Sequence, residues 1–140
     1  MRVFLFIASA ITAAGLIVNA IIHLSLAGPY DGNPGTLLSQ GALFRIQAVA
    51  GLLAGTLVLI RPRLATALVA VVIALAGLAS LLVTVVTPLD LTPVGGPFIF
   101  EPAWYKDKII STAAQLVAIA GGVTVMLITR RAPAGIHPGR

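Results

Sequence analysis

Four stretches of this chain are apolar almost without interruption, and what separates them is polar, rich in proline, or both. The apolar runs cover roughly residues 3–27, 42–60, 64–87 and 109–129. Each has about the 20 residues that a helix needs to cross a hydrocarbon core. Between them lie GPYDGNPGTLLSQ, the short RPR (Arg61, Pro62, Arg63) and a longer segment from Pro88 to Lys108. A lipid-exposed segment has to satisfy its own backbone hydrogen bonds, and four segments are too few to close a barrel, so every run is predicted to be an α-helix. RPR is short enough to force the second and third helices into an antiparallel hairpin. The pattern therefore predicts an all-α fold: one integral membrane domain over residues 1–140, a four-helix transmembrane bundle with a flexible basic tail at 130–140.

Composition agrees with that pattern. Hydrophobic residues make up 59% of the chain and charged residues only 9%, whereas a soluble domain carries about a quarter charged residues. So few charges cannot give a globule a solvated surface. The chain has no Cys, which excludes disulfides, thiolate metal sites and a Cys nucleophile together. A net charge of +5 raises the question of nucleic acid, but the basic residues flank apolar segments instead of clustering among aromatics. No nucleic-acid partner is expected.

The charges instead set a direction. Arg2 precedes the first run, Arg61 and Arg63 lie between the second and third, and Arg130, Arg131 and Arg140 follow the fourth. Asp31, Asp90, Glu101 and Asp107 all fall on the other side, with Arg45, Lys106 and Lys108. The positive-inside rule then predicts a multi-pass protein of the plasma (inner) membrane with both termini cytoplasmic. The first apolar run passes twenty residues, too long for the core of a signal peptide, so it is expected to stay as an uncleaved helix.

The segment PLDLTPVGGPFIFEPAWYKDK breaks any helix with its prolines and the Gly95–Gly96 pair. Leu89, Leu91, Val94, Phe98, Ile99 and Phe100 are nonetheless too apolar for a loop in water. It is predicted to lie on the outer face and cap the bundle. Glu101 and Pro102 are predicted to start the fourth helix, since Pro suits a first turn and an acid suits the positive helix end. Trp104 and Tyr105 fall at the depth of an aromatic belt and read as interface anchors.

Small residues mark where membrane helices approach closely. Gly51 and Gly55 form a GxxxG step on the second helix, and Ala114, Ala118 and Gly122 repeat every fourth position on the fourth. Ala70 and Ala74, then Ala76 and Ser80, continue the pattern on the third. These stripes are assigned to packing within the bundle, with Gly51/Gly55 as the stripe most suited to a partner helix.

Polar groups deep in lipid are costly and therefore informative. Asn19 and His23 are four residues apart and share one face of the first helix. Counted from Ala27 at 1.5 Å per residue, they lie about 12 Å and about 6 Å below its outer end. Arg45 and Gln47 open the second helix at that level, and Ser111 and Gln115 enter the fourth from the same side; Thr84 sits on the third. Three readings compete for Asn19, His23, Arg45, Gln47 and Gln115. They are interhelical clasps, with Arg45 snorkelling to Asp31 or Glu101; a shallow ligand site under the third loop; or a proton relay.

No catalytic residues and no metal ligands are predicted. Besides His23, the one other histidine, His137, lies in the tail, so haem ligation would need two protomers. No carboxylate falls within a span, against an ion-coupled relay.

IIHLSLAGPYDGNPGTLLSQGALFRIQAVAGLLAGTLVLI, residues 21–60, resembles uncharacterised small four-helix integral membrane proteins of actinobacteria and, more distantly, the layout of DoxX-like bundles. DoxX-like proteins are linked to quinol oxidation and membrane redox systems, so the resemblance implies a redox-accessory role; none of their catalytic residues maps onto this chain. The expectation from the residues themselves is a non-enzymatic accessory or structural subunit of a larger membrane complex. The alternative is a lipid- or quinone-binding protein with His23, Arg45 and Gln115 at the polar end. Membrane lipids and other membrane subunits are the expected partners, and self-association is left open.

Overall fold

The computed structural model describes residues 1–131; of the tail assigned to 130–140, residues 132–140, with His137 and Arg140, lie outside the described residues. Four helices dominate: α1 (Arg2–Tyr30), α2 (Gln40–Ile60), α3 (Leu64–Val86) and α4 (Lys106–Arg131). All four are long and apolar enough to cross a membrane. They run up and down around a ring in which α1 packs between α2 and α4, and α3 between α4 and α2. Arg2, Arg61, Arg63 and Arg130 gather at one end, called here the basic end; the two longer loops close the other, the loop end.

Two helix limits differ from the sequence expectation. α1 continues through Pro29 to Tyr30, and the Asp31 N–H closes its last turn on Ala27 O and Gly28 O, both at 3.1 Å. Proline lacks an N–H to give and here sits in the last turn, where little helix remains to be broken. α4 starts at Lys106, not at Glu101 and Pro102. The Glu101 N–H is taken by Thr84 O at 2.9 Å, and Glu101 O accepts from Lys108 Nζ at 2.6 Å. Both backbone groups of Glu101 are thus committed outside a helical ladder.

Small residues set how closely the helices approach. A Cβ added to Gly15 would stand 2.5 Å from Ala114 O and 2.9 Å from Ala118 N, so α1 and α4 meet backbone to backbone there. Gly51 and Gly55 face Leu16 and Ala13 of α1, and Gly122 faces Val71 and Ala67 of α3. On α3 the buried stripe is Ala67, Ala70 and Ala74. Ala76 and Ser80 are exposed, because 3.6 residues per turn carry a helical stripe through Ala67, Ala70 and Ala74 toward Gly77, not toward Ala76.

The segment between α3 and α4 folds as a small antiparallel hairpin, β1 (Leu89–Asp90) paired with β2 (Phe98–Ile99), around a 3₁₀ turn at Thr92–Val94. The first loop is tied onto it: Leu37 N–H donates to Gly95 O at 2.8 Å and Asn33 Nδ2 to Phe98 O at 2.9 Å. Leu89, Leu91 and Ile99 turn down over the bundle. Val94, Phe98, Phe100 and Trp104 remain exposed.

Candidate functional site

Beneath the hairpin is a cavity of about 370 Å³. α1 contributes Ile22, His23 and Leu26; α2 contributes Leu43, Phe44 and Gln47; α3 contributes Gly77, Ser80 and Thr84; α4 contributes Lys108 and Ser111. Leu89, Leu91 and Ile99 roof it, and Gln40, Glu101 and Tyr105 stand at its polar rim. Such a volume lies within the range of small-molecule pockets, about 300–1,000 Å³. α2 and α3 share the sparsest of the neighbouring helix interfaces, and the cavity lies where they part.

Asn19 and His23 share one face of α1 and meet different surroundings. With α1 ending at Tyr30, His23 lies about 10 Å and Asn19 about 16 Å below the helix end, deeper than expected, at 1.5 Å per residue. His23 Nδ1 is 2.9 Å from the Asn19 carbonyl. A carbonyl only accepts, so Nδ1 carries the proton, and Nε2 of the neutral ring is an acceptor on the cavity wall. Phe44 holds the ring edge-on, with centroids 5.1 Å apart.

Asn19 itself is buried against α4. Its Oδ1 accepts from Ser111 Oγ at 2.5 Å, and Ser111 Oγ accepts from Gln115 Nε2 at 3.2 Å. Asn19 Nδ2 and Gln115 Oε1 are buried with no partner among the described residues. Gln47 Nε2 donates to Ile73 O at 3.1 Å. Gly77 makes room for both glutamines: a Cβ there would stand 2.5 Å from Gln115 Oε1 and 2.5 Å from Gln47 Nε2. Asn19, Gln47 and Gln115 therefore form a layer under the cavity floor, with Ser111 and Gln47 also on its wall.

Arg45 is not part of this group. It is exposed on the outer face of α2, where its guanidinium grips Asp31 through two hydrogen bonds of 2.8 and 2.7 Å. Ser39, the N-cap of α2, adds a third to Asp31 at 2.8 Å. The Arg45 guanidinium first and the Ser39 hydroxyl second hold the Asp31 carboxyl down at about 2. Of the two arrangements open to Arg45, the structure places it in the Asp31 clasp.

Glu101, expected at the start of the fourth helix or beside Arg45, and Lys108, expected as a loop residue, meet instead at the rim of the cavity. Lys108 is buried, and its ammonium sits 3.5 Å from Glu101 Oε2 and over the Tyr105 ring at 5.2 Å. Tyr105 OH meets Tyr30 OH at 3.1 Å and Glu101 Oε2 at 3.4 Å. Burial pushes the Tyr105 phenol above its ordinary value. Tyr105 thus forms site wall, while its neighbour Trp104 is half exposed beside the loop end. The one available signal was spacing: Glu101 and Lys108 flank an unfinished helix start seven residues apart, close enough for Lys108 to fold back.

Among the described residues no three His, Asp or Glu side chains come together to hold a metal ion. The chain matches no family model, and no curated protein or solved structure is significantly similar to it, so its own side chains carry the functional reading.

Proposed function

We propose that this protein is a non-enzymatic, multi-pass membrane protein that holds an amphiphilic molecule of the bilayer, a lipid or a quinone, in the cavity beneath its hairpin. The cavity carries the reading. It has aliphatic walls from four helices, each long and apolar enough to cross a membrane, and polar side chains at its rim. We further infer plasma-membrane residence with both termini cytoplasmic and the cavity toward the outer face, supported by the basic residues at the opposite end.

Gentle solubilisation followed by lipid extraction tests the reading. One amphiphile per chain is expected to co-purify, with less after His23→Ala and an unchanged amount after Arg45→Ala. Recovery of no stoichiometric amphiphile contradicts it. For orientation, Asn33→Cys is expected to react with an impermeant thiol reagent from outside, and His137→Cys only after permeabilisation.

A second reading, an accessory subunit of a larger complex, is favoured by a groove of about 560 Å³ between α1 and α4. Its floor is small (Ala8, Ala120, Gly121) and its rim apolar (Phe4, Ile7, Ile11), the surface that lets a further helix approach closely. A stoichiometric membrane protein cross-linked through Ile7 or Ile11 supports this role, and a chain recovered alone argues against it.

A further inference from the structure

The cavity's hydrogen-bonding pattern narrows the class of guest, an inference that rests on the amphiphile reading. We infer that the site takes an uncharged headgroup bearing both a hydroxyl donor and an oxygen acceptor, with its chain leaving between α2 and α3, and that it discriminates against anionic phospholipids.

Charge is the first observation. The ionised groups around the cavity are Glu101, Asp107 and Lys108. Lys108 is matched by Glu101 at 3.5 Å, and Asp107 sits in the first turn of α4, where the positive helix end offsets a carboxylate. The nearby Arg45 is committed to Asp31 at 2.7 Å. A phosphate would therefore approach two carboxylates against one ammonium already paired with Glu101, an excess of negative charge in a medium of low dielectric.

The second observation is the set of unused hydrogen-bonding positions. His23 Nε2 offers a lone pair, as the Nδ1 proton is spent on Asn19 O. An ammonium has three protons; Lys108 directs one to Glu101 O at 2.6 Å and faces Glu101 Oε2 at 3.5 Å, which leaves one for a guest. Behind the wall, Ser111 joins the amides of Asn19 and Gln115, with one amide nitrogen and one amide oxygen left over. Turning both amides around exchanges these two atoms without removing either. Both are sealed from the cavity, so the positions open to a guest are the His23 acceptor and the Lys108 donor, which a headgroup with a hydroxyl and an oxygen acceptor meets.

Size is the third. About 370 Å³ accommodates a glycerol or quinol-sized head and the first part of a chain. The remainder must leave, and the sparse α2–α3 interface beside the exposed Ser80 is the exit inferred for it.

The test is a thermal-shift and co-elution titration of the delipidated full chain in uncharged detergent. Three probes are compared: monoolein (hydroxyls and an ester carbonyl, uncharged), a menaquinone (carbonyls alone) and phosphatidylglycerol (anionic). Monoolein is expected to raise the melting temperature and to co-elute one to one, with at least tenfold weaker binding by phosphatidylglycerol. Menaquinone in its quinol form should bind more tightly than in its quinone form, since only the quinol donates to His23. Ser80→Phe, at an exposed position, should abolish the shift while leaving helical content unchanged. Phosphatidylglycerol binding as well as monoolein would overturn the neutral-headgroup inference and leave the amphiphile site standing. No response to any probe, with Ser80→Phe indistinguishable from wild type, would overturn both.

Discussion

Toward the basic end, Gly55 rests on Ala13 and Gly122 on Ala67, around fully buried Val58 and Val125. Toward the loop end the four helices surround a cavity bordered by imidazole, amides, hydroxyls and an ion pair. Lipid supplies little hydrophobic force for bringing helices together, so the first half is held by close backbone approach and dispersion. In the second half Gly41 still brings α2 against Ala27 of α1, polar side chains line the space beneath, and the roof hairpin closes it. One half holds the bundle; the other holds the space.

The largest expected effect tests the packed half. Gly15→Ala places a methyl 2.5 Å from Ala114 O, a backbone atom that cannot swing aside, and should destabilise the bundle by about 2–3 kcal/mol. Unfolding in mixed micelles measures it; a loss below about 0.5 kcal/mol would show that α1 and α4 do not cross so closely. Next comes the polar layer. Ser111→Ala removes the hydroxyl joining Asn19 to Gln115 and should cost about 1–2 kcal/mol, the scale of interhelical hydrogen bonds in membranes. Gly77→Ala should cost less stability but displace the Gln47 and Gln115 amides, so ligand occupancy should fall while the fold persists. Equal loss of both would make Gly77 a packing residue only.

The smallest effect belongs to the rim. Asp31 titrates at about 2 against an ordinary 3.8, so what the Arg45 clasp contributes is complete above about pH 4 and is lost as the pH falls through about 2. Hydrogen exchange at Ala42 and Leu43, in the first turn of α2, should accelerate across that window with little change in global melting. An equal acceleration in Arg45→Ala and wild type would show that the clasp is not the titrating element.

These contrasts also mark what a sequence conveys. The helices were legible because hydropathy and length suffice for a span, and the GxxxG step pointed to close packing that proved to be with α1. The limits of α1 and α4 were not: Pro29 and Pro102 are equally strong local signals, yet one lies within a helix and the other before one. Tertiary bonds from Glu101 to Thr84 and Lys108 decide the second case. The site was half legible. Asn19, Gln47 and Gln115 gather at one level because depth is readable from the chain, while His23, on the face of Asn19 by its i, i+4 spacing, borders the cavity. Arg45 turns outward to Asp31, one of the two acids that its place on the chain offered, and so leaves the group. Gln40, Glu101, Tyr105 and Lys108 enter the rim through the folded loop structure, which no periodicity encodes.

The central claim, that the hollow half exists to hold an amphiphile, is tested most directly by native mass spectrometry of the chain released from the mildest micelle that keeps it folded. The wild type should retain a single added mass in the range of one lipid or quinone, and Ser80→Phe should fly without it. A wild type that flies bare, or a Ser80→Phe variant that carries the same adduct, would contradict the account.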